Sequence, residues 1–117
     1  MIDWLKTPVN VLDVCANPNN YPWLFFREGL EIIRLYGGDP GSPAAALLRY
    51  APGARVPRHR HAGYEHILVL RGAQEDERGR YAEGAFVINA PNTYHVVTSE
   101  SGCIVLAVWE KPVEFQE

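Results

Sequence analysis

The apolar positions of this chain fall into short runs, and each run is closed by residues that favour turns. The predicted turns lie at residues 17–20, 37–43, 51–53, 76–79 and 90–92. The apolar runs between them are Leu30–Tyr36, Ala44–Tyr50, Ile67–Leu70, Ala85–Ile88, Tyr94–Thr98 and Cys103–Trp109. Because the runs are too short for ordinary helices and several are rich in Val, Ile and Tyr, the pattern predicts an all-β sandwich or barrel. A short helix or 3₁₀ turn near the N-terminus is an open alternative.

Two of the runs, Ile67–Leu70 and Cys103–Trp109, are apolar at every position instead of alternating. An antiparallel strand with one face in water should alternate between apolar and polar residues. Both faces of these strands therefore need cover. We expect a homodimer to supply it, with cover by the N-terminal arm alone as the alternative.

The length of 117 residues predicts a single domain, and 47% apolar residues are enough for one core. We divide the chain into an N-terminal arm at 1–22, a barrel at 23–113 and a C-terminal tail at 114–117. The net charge of −3 argues against a nucleic-acid or membrane-surface partner, since both need a basic face.

Signals for secretion or membrane insertion are missing from the pattern. No apolar run approaches the length that spans a bilayer, and Asp3 and Lys6 interrupt the N-terminus, so we expect a cytoplasmic protein. Cys15 and Cys103 form no C-x-x-C pair. They are expected to be free thiols, although a bridge between them is left open.

Three of the four histidines form a pattern with one glutamate: His59-Arg60-His61, then Glu65, then His95. In a strand, residues two apart face the same side, so His59 and His61 can bind one ion. Glu65 opens the next strand, and His95 must come from a strand distant in sequence. Imidazole and carboxylate groups suit several divalent metals, so we predict one ion of Fe, Zn, Mn or Ni at these four residues. His66 should face the opposite side and is interpreted as structural.

The same residues carry a resemblance to the cupin superfamily. The segment from Gly53 to Gly72 matches the cupin motif G-x5-H-x-H-x3-E-x6-G at every fixed position. The second motif runs from Gly84 to His95 but has Ala90, Asn92 and Ser99 where cupins have Pro, Gly and Asn. These departures affect turns rather than ligands, and Asn92 tolerates positive φ. The resemblance implies a small double-stranded β-helix, the cupin jelly-roll barrel, with a metal at the four residues.

Within the superfamily, the chain resembles the ChrR-type cupin domain over residues 23–110. The resemblance is carried by 52–54, 59–65, 69–72, 76–79, 81–84, 94–95 and 102–103. ChrR-type proteins include a zinc anti-sigma factor with an extra helical zinc domain, whose His and Cys ligands this sequence lacks. The sigma-binding function is therefore not carried over. The chain is similar also to small acetylacetone-dioxygenase-like cupins.

Two functions from different classes follow from the resemblance. We place first a metal-dependent enzyme, dioxygenase-like or isomerase/lyase-like, acting on a small oxygen-rich molecule; its catalytic residues beyond the ligands are unknown. The alternative is a ChrR-like regulatory module that senses a metal or small ligand and acts through a separate protein partner. A purely structural role is a third hypothesis. A full tetrahedral zinc shell favours the second function, whereas a six-coordinate ion leaves positions for substrate.

Other conspicuous side chains receive structural interpretations. Arg60 alternates away from the histidines and is expected at a solvated strand edge together with Arg55 and Arg58. Several aromatic residues are candidates for a pocket lining, although most are expected to pack in the core: Phe25, Phe26, Tyr50, Tyr64, Phe86, Tyr94 and Trp109.

Overall fold

The structure, a computed structural model, describes Trp4 and residues 6–116. In this part of the chain, a helix α1 (Val11–Ala16) and a 3₁₀ helix (Pro18–Asn20) precede the strands. The strands are β1 (Leu24–Arg27), β2 (Leu30–Tyr36), β3 (Ala44–Tyr50), β4 (Ala54–His61), β5 (Glu65–Asp76), β6 (Gly79–Ala82), β7 (Phe86–Asn89), β8 (Tyr94–Ser99), β9 (Cys103–Trp109) and β10 (Val113–Phe115). The predicted all-β class is confirmed. None of the described helices is long and apolar enough to cross a bilayer.

The strands form one curled antiparallel sheet, folded into two layers that share β5. The first layer has the order β1-β2-β3-β9-β5-β7, and β5 then continues into a second layer beside β6, β8, β4 and β10. The pairing of β5 with β9 slips between Val69 and Arg71, which marks the point where β5 leaves the first layer. Gly72 is required there, because a Cβ atom would lie 2.2 Å from the Gly102 carbonyl oxygen. The predicted run Ile67–Leu70 is therefore only part of a longer strand.

The core lies between the two layers. Leu48, Val69, Val97 and Val105 are among its buried members, and they come from both layers. Burying such side chains is the main favourable contribution to the stability of a barrel of this size. The side chains that face the centre from β4, β5 and β8 include the predicted metal ligands.

The N-terminal arm covers the outer face of the first layer. Asn10 caps α1 by accepting a hydrogen bond from the Asp13 amide at 3.1 Å, and Val14 on the helix is fully buried. Val14 packs with Ile33 and Leu47, and Leu70 and Leu106 contact the same cluster. The arm thus covers part of the two strands that are apolar on both faces. Cover of this kind was the predicted alternative to a dimer. The homodimer itself stays a prediction.

Turn chemistry places the remaining connections. The β5–β6 hairpin is closed by Glu77 and Arg78, because Asp76 pairs with Gly79. Asn92 has a φ of 66°, which agrees with its place at the glycine position of the second motif. Residues 18–20 form a 3₁₀ turn rather than an irregular loop, since Pro18 presets the first helical position. Cys15 and Cys103 are both free thiols.

Candidate metal centre

The four predicted ligands come from three strands. His59 and His61 lie two residues apart on β4, and His95 on β8 is paired directly with His59. Glu65 is the first residue of β5, as expected from its place after the turn. The alternation of β4 sends both histidines into the barrel, and the β4–β8 pairing brings the third imidazole against them.

The structure brings these four side chains together. Their ligand atoms all lie within 4.8 Å of one another. The residues are between 1% and 7% exposed, and His61 is the most buried. The imidazole centroid of His95 lies 4.5 Å from that of His59 and 4.6 Å from that of His61. This compactness is what a single ion shared by four groups requires.

The outward-facing nitrogen of each imidazole contacts an acceptor. Nδ1 of His59 lies 2.9 Å from the Pro57 carbonyl oxygen, and Nδ1 of His61 lies 3.1 Å from the Thr93 carbonyl oxygen. Nδ1 of His95 lies 3.0 Å from Oδ2 of Asp76. Because carbonyl and carboxylate oxygens only accept, each Nδ1 carries the hydrogen in the neutral ring. Each Nε2 is therefore left with a free lone pair.

The three Nε2 atoms and one carboxylate oxygen face each other without a hydrogen between them. The Nε2 atoms of His59 and His95 are 2.9 Å apart. Nε2 of His61 is buried without a hydrogen-bond partner among the described residues, and it lies 3.2 Å from Oε1 of Glu65. Lone pairs at these distances repel unless a cation lies among them, and an unpaired buried polar atom is costly. The donor set therefore fits a divalent metal.

Glu65 is fixed by two donors. Asn89 donates its Nδ2–H to Oε1 at 2.9 Å, and the Trp109 indole donates to Oε2. Burial alone would raise the pKa of Glu65, but that pKa is lowered overall, and the Trp109 indole is among the donors that stabilise the carboxylate. The side chain is thus held as a carboxylate. Sequence reasoning missed Asn89, because its position opposite Glu65 follows from the β5–β7 register and local sequence carries no signal for it.

Electrostatics also favour neutral imidazole at the site. Burial lowers the pKa of His59, and the nearby His95 lowers it further, while the Pro57 carbonyl opposes the shift. Neutral imidazole is the form that binds metal. Asp76 behind His95 stays ionised: burial would raise its pKa, but donors from His95, Arg78 and Tyr81 hold that pKa at about 2.

The other singled-out residues lie outside this cluster. His66 is half-buried on the outer face, between the rings of Tyr64 and Phe86, in agreement with a structural role. Arg60 pairs with Glu114 at 2.7 Å. The prediction that it lies at a strand edge is wrong, because β4 is flanked by β8 on one side and β10 on the other. Of the aromatic candidates, Phe26, Tyr50 and Trp109 line the interior, whereas Phe25 is 80% exposed.

One cavity borders the cluster, and a second cavity lies beyond it. The inner one is about 50 Å³ and is bounded by His59, Glu65 and His95 together with apolar core residues. The outer one is about 230 Å³ and lies towards Arg34, Asp39 and Phe115. Both are bounded by Phe26, Trp109 and Val113, so these three side chains separate the predicted ligands from the outer cavity.

Comparison with known proteins identifies the family of the chain. Residues 12–113 match the family described as the ChrR cupin-like domain. The anti-sigma-E factor ChrR of Cereibacter sphaeroides is 40% identical over 78 residues, which cover 64% of this chain and 37% of that protein. The chain thus spans little more than a third of the curated relative.

Solved structures share the fold. The crystal structure of Rhodobacter sphaeroides SigE in complex with the anti-sigma factor ChrR superposes with a TM-score of 0.68 and 33% identity, covering 78% of this chain and 49% of that chain. An acetylacetone dioxygenase from Acinetobacter johnsonii gives a TM-score of 0.74 at 16% identity, covering 81% and 72%, which shows a common fold. The chain belongs to the ChrR cupin-like family.

Proposed function

We propose that this chain is a metal-binding regulatory module whose His59, His61, Glu65 and His95 hold one divalent ion in a shell closed to organic substrates. The observation that carries the proposal is the inner cavity of about 50 Å³ beside the buried ligands. Pockets that take small organic molecules usually measure roughly 300–1,000 Å³. The space at the ligands suits one or two water molecules.

The ligand count supports the same function. Three imidazoles and one carboxylate complete a tetrahedral shell for Zn²⁺, and a complete shell serves structure or sensing rather than catalysis. Glu65 is tied to Asn89 and Trp109, so it is not free to leave the ion and act as a base. The output would then depend on a separate protein.

Family membership supports a protein partner of this kind. In the SigE–ChrR crystal structure, the ChrR relative is in complex with a sigma factor. This chain matches only 49% of that ChrR chain, so the sigma contact can belong to the part of ChrR that it does not match. We propose a protein partner without assigning it to the sigma class.

A second candidate function is the metal-dependent enzyme favoured by the sequence alone. The outer cavity of about 230 Å³ favours it, because displacement of Phe26, Trp109 and Val113 would join that cavity to the inner one. A six-coordinate ion held by the four ligands would supply Lewis-acid polarisation of a bound oxygen group. The protein's own part would be to bind and orient a small oxygen-rich molecule against those three side chains.

Metal analysis separates the two functions. We expect protein purified without added ions to contain one tightly bound zinc per chain. In the Co²⁺-substituted protein, we expect the visible spectrum to be unchanged by azide or acetylacetone. A bound iron whose spectrum responds to acetylacetone would instead favour the enzyme.

Two variants test the ligand assignment in the same experiment. His61→Ala should abolish stoichiometric metal binding, because it removes a buried ligand. His66→Ala is the matched control, since His66 lies on the outer face of the same segment and should retain one ion per chain. Full metal content in His61→Ala would contradict the assignment.

A further inference from the structure

Polar side chains from the β5–β6 hairpin and from β7 lie behind the proposed ligands and contact them. Asp76 ends β5, its side chain is 3% exposed, and its Oδ2 lies 3.0 Å from Nδ1 of His95. Asn89 on β7 is 2% exposed and contacts Glu65. Neither residue belongs to the spacing motifs of the sequence.

One arginine joins these two residues. Nη2 of Arg78 donates to Oδ2 of Asp76 at 3.0 Å and to Oδ1 of Asn89 at 2.6 Å. The contacts therefore run without a break from His95 through Asp76, Arg78 and Asn89 to Glu65. Asp76 and Asn89, which contact two ligands from different strands, are thus linked by one residue of the β5–β6 turn, Arg78.

Among the described residues, the hydrogen-bond contacts of the Asp76 carboxylate all come from donors. Oδ1 accepts from the Arg78 amide at 2.8 Å and from the Tyr81 hydroxyl at 2.9 Å, while Oδ2 accepts from Arg78 and His95. A carboxylate offers acceptors on both oxygens, whereas an amide offers an acceptor on one side only. The site is thus built for Asp, and Asn would turn an N–H towards a donor in either orientation.

We propose that Asp76 is a positioning residue for the metal centre: it holds the hydrogen of His95 on Nδ1 and turns Nε2 towards the ion, while Arg78 links it to the Glu65 side of the site. The proposal rests on the proposed metal-binding function. Partners of this kind fix the tautomer and orientation of a ligating histidine, and their loss typically lowers metal affinity by roughly 10–100-fold.

The test measures Zn²⁺ affinity by competition with a chelator at pH 7.5. Asp76→Asn should bind Zn²⁺ at least about 10-fold more weakly than the wild type. Arg78→Gln keeps the Asp76–His95 contact but breaks the link to Asn89, so it should show a smaller loss. Glu77→Gln is the matched control: Glu77 accepts from the Val96 amide in the same hairpin, and its replacement should leave the affinity unchanged.

A second readout separates positioning from a merely structural role. Imidazole ¹⁵N shifts of the metal-free protein should show His95 protonated on Nδ1 in the wild type and on a mixture of the two nitrogens in Asp76→Asn. Retained Zn²⁺ affinity with an unchanged His95 tautomer in Asp76→Asn would overturn the proposal, as would an equal loss of affinity in Glu77→Gln. If Asp76→Asn does not fold, wild-type affinity in Arg78→Gln overturns it.

The two proposals fail in different ways. A wild-type protein that binds no Zn²⁺ at all removes the metal centre and the role of Asp76 together. If the wild type binds Zn²⁺ and Asp76→Asn binds it equally tightly, the proposed role of Asp76 is excluded, whereas the metal centre is retained.

Discussion

At the residue scale, most buried polar side chains in the described part of the chain have an identified partner. The Ser99 hydroxyl donates to the Ala73 carbonyl oxygen at 2.6 Å, and Asn89 donates to Glu65 at 2.9 Å. Among the described residues, Nε2 of His61 and Oε2 of Glu75 are buried without a hydrogen-bond partner. Buried polar groups are normally paired, and at His61 a bound ion would relieve the cost of the unpaired nitrogen.

The Cys103 thiol gives a pH-dependent prediction. Burial raises its pKa to about 11, although a hydrogen bond with Ser99 opposes the shift. The folded protein therefore keeps the proton after the unfolded chain has lost it near pH 9. The stability contributed by the neutral thiol is fully present below pH 9 and is lost as the pH rises towards 11.

This predicts that the unfolding free energy of the wild type, measured in urea, falls between pH 8 and pH 10.5 by about 2 kcal/mol more than that of Cys103→Ala. The comparison between the two proteins cancels the contribution of other groups that titrate in this range. Equal losses in both proteins would contradict the buried, neutral thiol.

Residue-level prediction succeeded where alternation decides direction. Alternation placed His59 and His61 on one face of their strand and His66 on the face opposite Glu65, and the structure agrees. Asp76 was interpreted only as a turn residue, because its contact with His95 depends on how two strands meet across the barrel. Local sequence carries no signal for such a contact.

At the scale of elements, the bounds of long strands could be predicted from the sequence, whereas the shortest strands were missed. β2, β3 and β9 have the predicted bounds because long apolar runs closed by turns define them. β1 and β10 were missed, since β10 has only three residues and is held by pairing with β4 rather than by its own pattern. Such strands form only because a neighbour supplies the hydrogen bonds.

The helix α1 provides a prediction at this scale. Val14→Ala should lower the unfolding free energy by about 2 kcal/mol, because Val14 is fully buried against Ile33 and Leu47. Leu12→Ala in the same helix is the control, since Leu12 is 79% exposed and should change stability little. Urea unfolding of the three proteins measures both effects. A similar loss in both variants would contradict the assignment of the Val14 contribution to packing against the sheet.

At the scale of the whole molecule, part of the apolar surface is left uncovered by the N-terminal arm. The arm covers Leu70 and Leu106, but Tyr64, Phe86 and Ile88 are 49%, 60% and 51% exposed. Phe86 and Ile88 lie on β7, which pairs only with β5 among the described strands and carries no charged residue. Edge strands of this kind usually carry protective charges.

The homodimer predicted from the sequence is therefore expected to form through β7. Sedimentation analysis should give a dimer for the wild type and a monomer for Ile88→Lys, because a buried lysine in a pairing edge is strongly unfavourable. Glu77→Lys, on the nearby hairpin turn, is the control and should remain a dimer. A wild-type monomer at all concentrations would exclude this association.

The pairing of His59 with His95 also affects how metal and folding are coupled. Three of the four ligands lie between residues 59 and 65, so the unfolded chain retains most of its donors and competes for the ion. A ligand stabilises a fold only by its preference for the native state over the denatured one. The rise in melting temperature on adding metal should therefore be smaller than the metal affinity of the folded protein alone implies. It should depend mainly on His95, the ligand 36 residues after His59 that only folding brings to the other three.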